Sequence, residues 1–132
     1  MSLKTKCILS PIEESDGYRI SIMNRHTLND GITDDKRITS EMYKEHQKFL
    51  SPSNKLLGDY YKRGLSWDEY KKRFLEEMSN EESIKIIKEI SEKALTENIT
   101  LLCIEEKPDF CHRKLVAEIC KKFEPKLEIS IK

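Results

Sequence analysis

The segment Thr100-Leu101-Leu102-Cys103-Ile104-Glu105-Glu106-Lys107-Pro108-Asp109-Phe110-Cys111-His112-Arg113 decides how the chain is read. Residues 99–104 are almost wholly apolar, the pattern of a central strand covered on both faces. Asp109 is a suitable cap for a helix running to Phe123, with Leu115, Val116, Ile119, Cys120 and Phe123 turned inward. Pro125 stops that helix, and Leu127, Ile129 and Ile131 then alternate with Glu128, Ser130 and Lys132 as in a half-exposed strand. A strand, helix, strand unit with a right-handed crossover makes its two strands parallel. Ligands of such sheets bind beyond the carboxyl ends of the strands, where Cys103 to Arg113 falls.

Working outward, residues 3–9 and 18–23 read as strands, joined by a short connection ending in Asp16-Gly17. The cheapest pairing for so short a link is an antiparallel hairpin. Residues 24–37 lose periodicity, with Asn29-Asp30-Gly31 and Asp34-Asp35 as loop signals, which puts Asn24, Arg25 and His26 on the rim of the sheet. Met42, Tyr43, His46, Phe49 and Leu50 recur at helical spacing, so a helix is expected over 40–50 with His46 packed on its apolar stripe. Ser51-Pro52-Ser53 ends it and caps the next helix, whose apolar face is Leu56, Leu57, Tyr60 and Tyr61 and whose end is Gly64. Ser66 and Glu69 form a capping box before the aromatic stripe Trp67, Tyr70, Phe74 and Met78, read as core. Ser79-Asn80-Glu81-Glu82 repeats the box and opens a long helix carrying Ile84, Ile87, Ile90 and Ala94. The expected fold is one α/β domain over residues 1–132, a three-layer unit with a mixed, mostly parallel sheet of about four or five strands flanked by helices.

Composition narrows the function classes. Lys and Arg equal Asp and Glu at 24 each, so the electrostatic footprint of a protein that coats nucleic acid or anionic membrane is absent. No apolar run approaches the roughly 18 residues of a membrane span and no leader stands out, so a soluble, cytoplasmic protein is expected. Cys7, Cys103, Cys111 and Cys120 are then read as reduced thiols.

Two cysteines, a histidine, an arginine and three carboxylates crowd into residues 103–113. In the first turn of a helix Cys111 meets the positive end of the dipole, which favours a thiolate, and His112 and Arg113 add to that. Counting back four from Leu115 and Val116 reaches the same Cys111 and His112, which therefore read equally as small core groups. Nine residues separate Cys103 from Arg113, too many for a cysteine-phosphatase loop. Cys103, Cys111 and His112 lack the close cysteine pair of a zinc site and would need a fourth ligand, so neither metal nor cofactor is expected. Adjacent helical residues point in different directions, which makes His112 a poor base for Cys111 and leaves His26 better placed. An anion cleft asks least of the geometry: Arg113 and Arg25 would clamp a carboxylate or phosphate at the helix start, with Glu105 as acid or base. The alternative for Arg113 is pairing with Glu105 or Glu106, tying loop to helix.

The run Leu101-Leu102-Cys103-Ile104-Glu105, followed by Pro108 and Cys111-His112-Arg113, resembles the C-terminal signature of the domain-of-unknown-function 488 family. Asp16-Gly17-Tyr18-Arg19, Leu50-Ser51-Pro52-Ser53 and residues 67–74 are similar to its YeaO-like branch, so the likeness spans nearly the whole chain. The resemblance implies a small α/β fold and no established activity. The family pattern carries an acid near the end of the second strand, where this chain has Met23-Asn24-Arg25. The chain is thus expected to be a small cysteine-dependent enzyme acting on a small anionic ligand through Cys111, Cys103 and Glu105, with Arg113, Arg25, His112 and His26 binding. The alternative is a non-catalytic module that binds a nucleotide, nucleic acid or protein in the same cleft.

Overall fold

The computed structural model describes residues 1–28 and 30–132, so Asn29 of the expected loop signal lies outside the described residues. Its strands are β1 (Ser2–Cys7), β2 (Tyr18–Ser21), β3 (Glu45–His46), β4 (Ile99–Cys103) and β5 (Glu128–Ile131), in the spatial order β3-β2-β4-β1-β5. Four helices accompany them: α1 (Asn54–Lys62), α2 (Trp67–Glu77), α3 (Glu81–Lys93) and α4 (His112–Phe123). The architecture is α/β. Every pairing within the sheet is parallel, so its expected antiparallel component is absent among the described residues.

The hairpin expected at the start does not form. β4 lies between β1 and β2, with Lys6 and Ser21 both in register with Leu102. An all-apolar strand must be covered on both edges and both faces, and β1 and β2 supply the edges. The connection between them is held by Asp16, which sits fully buried and accepts from Lys6 Nζ at 2.9 Å and from Arg19. The Asp16 carbonyl in turn accepts from the Thr100 hydroxyl at 2.7 Å. Gly17 completes the turn at φ +63, where a Cβ would lie 2.1 Å from the Asn98 carbonyl oxygen.

One face of the sheet, with Leu3, Ile20, Ile99 and Leu101, shares a core with Leu56 of α1, Phe74 of α2, Ile87 of α3 and Leu115 and Val116 of α4. The other face carries Lys6, Arg19 and Leu102 and is covered by irregular chain. Arg19 Nε donates to the Met42 carbonyl at 2.6 Å, and Ile38, Met42 and Tyr43 pack on a second cluster of Ile8, Met23, Leu102, Cys103 and Cys111. The helix expected over 40–50 is therefore replaced by β3 and a 3-10 turn at Lys48–Leu50. The free edge of β2 wins the competition for this backbone: Lys44 N donates to the Arg19 carbonyl and Gln47 N to the Ser21 carbonyl, each at 2.8 Å.

The starts of α1, α2 and α3 follow their sequence signals with one shift. Ser53 accepts from Leu56 N and Ser66 from Glu69 N, but α3 is capped by Asn80 rather than Ser79, its side chain accepting from Ser83 N at 2.9 Å. The Ser83 hydroxyl donates to the Phe49 carbonyl, fixing α3 to the 3-10 turn. No helix among the described residues is long and apolar enough to cross a membrane.

Candidate functional site

Because all strands run one way, their carboxyl ends share an edge. The chain leaving β2 turns outward to β3, while the chain leaving β4 crosses β1 to reach β5, so the crevice of the sheet opens between the ends of β2 and β4. Cys103 closes β4 at this point, and His112 bridges the crevice. Its Nε2 lies 2.6 Å from the Ile22 carbonyl just past β2, and its Nδ1 lies 3.8 Å from Cys103 Sγ. A carbonyl only accepts, so the proton of the neutral ring is on Nε2 and Nδ1 faces the thiol as an acceptor.

The helix begins two residues later than expected. Asp109 stays exposed in a turn after Pro108, and Cys111 takes the cap position, with extended backbone at φ −129, ψ 140 and no side-chain capping bond. Its amide is spent on the Pro108 carbonyl at 3.1 Å. Both cysteines and His112 are buried, with 5%, 2% and 5% exposure for Cys103, Cys111 and His112. The two sulfurs and one ring nitrogen all lie within 4.8 Å of one another, a spacing that a metal ion could bridge.

The two thiols are driven apart in acidity. The neighbouring Cys111 thiol, the Arg113 charge and the amides of Ile104 and Glu105 lower the Cys103 thiol despite the opposing effect of burial. Proximity to Cys103 and burial push the Cys111 thiol well up, with His112 opposing. The dipole argument for Cys111 yields here to the stronger local influence of a second sulfur.

Arg113 is completely buried. It donates from Nη1 to the Glu105 carbonyl at 2.7 Å, from Nε to the Lys132 carbonyl at 3.0 Å and from Nη2 to the Glu106 carbonyl at 3.4 Å. It thus ties the loop to the helix, but through main-chain oxygens rather than the Glu105 and Glu106 carboxylates, and no side-chain carboxylate among the described residues pairs with it. Arg25 is exposed and reaches the Gly31 carbonyl at 3.0 Å. The two arginines meet in no common contact. The Glu105 carboxylate accepts from the Tyr61 hydroxyl at 2.6 Å, and burial together with that bond raises the Tyr61 phenol.

His26 belongs to a separate group at the end of β2. Its Nε2 lies 2.7 Å from Ser21 Oγ, and its ring stacks on His46 at 4.3 Å and tilts against Tyr43 at 4.8 Å. Burial, then the His46 charge, lower its pKa. His46, exposed rather than packed, bonds the Met23 carbonyl at 2.6 Å. Asn24, where the family pattern has an acid, donates to the Pro52 carbonyl and leaves Oδ1 buried without a protein partner.

Sequence reasoning did not foresee the aromatic wall beside the cysteines. Phe74 tilts against His112 at 5.6 Å, while Trp67 stacks on Tyr70 at 5.1 Å and meets Phe110 edge-on at 5.5 Å. The signal was the stripe on α2, but the partners across the chain, Phe110 and His112, have no spacing that reveals them.

A family model described as the active DUF488-N3 subclade, DUF488-N3a, matches residues 3–123. The chain belongs to the DUF488 family. The match covers β1 through α4 and includes the whole cysteine site; the family's function is unknown. No curated protein and no solved structure matches the chain.

Proposed function

We propose that this DUF488 protein is a small cysteine-dependent enzyme whose nucleophile is Cys103, with His112 as the base that receives its proton. One observation carries the reading: at the carboxyl end of the central strand, His112 is anchored by Nε2 to the Ile22 carbonyl and presents Nδ1 to Cys103 Sγ. The buried Arg113, with no side-chain carboxylate beside it, supports it, because its charge favours a thiolate at Cys103. That the matching subclade is described as active agrees with catalysis. Cys111 serves as the neighbouring thiol donor. Arg113 acts through its charge and through holding the loop, and Glu105 through Tyr61, so an anionic ligand is not needed for the reading. Reduced thiols at such a site suit the cytoplasm.

The test is an ultraviolet titration of thiolate absorbance in the wild-type chain, Cys103→Ser and Cys111→Ser. One thiol should ionise below the ordinary cysteine value, and Cys103→Ser should abolish that step while Cys111→Ser, which keeps a hydroxyl donor, shifts it upward. A titration in which every thiol ionises at or above the ordinary value would sink the proposal. So would a low step that disappears only with Cys111.

A further inference from the structure

Resting on that reading, we infer that the site carries out two-electron thiol redox chemistry on small hydroperoxides, with Cys111 as the resolving cysteine that closes a disulfide to Cys103. Three features of the geometry lead there. The two sulfurs lie within 4.8 Å of one another, on segments joined by the irregular chain of residues 104–111, so only a short approach separates them from a bond. The other thiol near the strand end is turned elsewhere: Cys7, in register with Cys103 on β1, donates to the Ile104 carbonyl at 3.4 Å. Finally, Cys103 and Cys111 are buried, at 5% and 2% exposure, which closes them to a bulky peptide disulfide and restricts the oxidant to a small molecule.

The chemistry balances. His112 Nδ1 takes the Cys103 proton, and the thiolate attacks one peroxide oxygen. The O–O bond breaks, sulfur becomes a sulfenic acid, and the leaving oxygen takes a proton to depart as water or alcohol. The Cys111 sulfur then attacks the Cys103 sulfur, the S–OH bond breaks, and the hydroxyl leaves as water with the Cys111 proton. Two electrons pass from the sulfur pair to the peroxide, and an external thiol restores the dithiol.

Metal binding by the same three residues is the rival, but among the described residues no fourth His, Cys or carboxylate joins them, too few ligands to close a structural zinc site. A neutral resolving thiol is also what the raised acidity constant of Cys111 describes.

The experiment treats the reduced full chain with a few equivalents of hydrogen peroxide and follows it by intact mass and peptide mapping. Wild type should lose two hydrogens, show a Cys103–Cys111 link and recover with dithiothreitol. Cys111→Ser should gain one oxygen on Cys103, trapped by dimedone, and Cys103→Ser should do neither. A link to Cys7, or over-oxidation of Cys103 with no link, overturns the inference while leaving Cys103 as nucleophile. An unreactive Cys103, or a stoichiometric metal that survives dialysis and is lost with Cys103→Ser, overturns both. Circular dichroism of each variant separates lost chemistry from lost folding, and the wild-type link alone decides if a variant fails to fold.

Discussion

Replacing Arg113 with methionine removes a buried cation while keeping much of its volume. The guanidinium makes two well-formed bonds to carbonyls, at 2.7 and 3.0 Å, and a long one at 3.4 Å. Charge-assisted hydrogen bonds contribute about 1.5–3 kcal/mol each, and the carbonyls of Glu105 and Lys132 would be left without this donor. Against that stands the relief of removing a charge with no side-chain carboxylate beside it from a fully buried position, worth part of the same amount. The balance is a loss of about 2–4 kcal/mol, or a melting point lower by roughly 8–15 °C for a chain of this size. Thermal and urea unfolding of Arg113→Met measure the loss directly. The variant should also raise the Cys103 thiol, because one of the influences lowering it is gone. Arg113→Lys keeps the charge but cannot span three carbonyls, so it should lose stability while holding Cys103 closer to its wild-type acidity. If Arg113→Met melts within a degree or two of wild type, the guanidinium does not brace the site; if Cys103 ionises unchanged in it, charge compensation is the wrong account.

Asp16→Asn leaves Arg19 buried without its counter-ion and Lys6 with only the exposed Glu13, and should cost about 3–5 kcal/mol in urea unfolding. Burial raises the Asp16 carboxyl, but the Glu13 amide, Lys6 and Arg19 outweigh it and hold it below the usual value; its stability is therefore present above the unfolded carboxyl pKa and lost as pH falls through the folded one. Asp16→Asn should flatten the acid limb of a stability-against-pH curve, and an unchanged limb refutes the assignment. Gly17→Ala, forced to φ +63 and into the Asn98 carbonyl, should lose at least about 2 kcal/mol by the same measurement; near-native stability would show that the turn can rearrange. Phe74→Ala removes a ring with no exposure that touches both Tyr70 and His112, and should cost about 3–5 kcal/mol while loosening the ring of His112, seen as a shifted imidazole proton resonance. A stable variant with an unmoved resonance would show that Phe74 does not position His112.

Much of the fold was legible because it rests on local patterns. The apolar run at 99–103 became the central strand, and the aromatic and isoleucine stripes became the core faces of α2 and α3. What was not legible depended on partners far along the chain. Residues 45–46 are a strand only because β2 offers an open edge, and no helical periodicity at 40–50 reports that edge. The hairpin failed for a similar reason: a short connection favours antiparallel pairing only when no better strand is available, and β4, some eighty residues later, is better. Asp16 looked like a turn residue and is one, but its buried bonds to Lys6 and Arg19 are a tertiary fact.

The site shows the same division at finer scale. Crowding at 103–113 located it, since strand ends in parallel sheets collect function and reactive types were concentrated there. The roles within it turned on one register detail. With the helix starting at Asp109, Cys111 would sit among free amides and His112 would point away from it; with the start at His112, the Cys111 amide is already bonded and the His112 ring swings across to β4. Moving the cap by two residues transfers the proposed thiolate from the helix to the strand. It also changes what Arg113 does, because a fully buried guanidinium bonded to three carbonyls serves the site through its charge and not through contact with a ligand. In the proposed enzyme, the sequence order Cys, then Cys-His-Arg, becomes a strand-end sulfur followed by its neighbouring thiol, its base and a nearby positive charge, delivered by one loop.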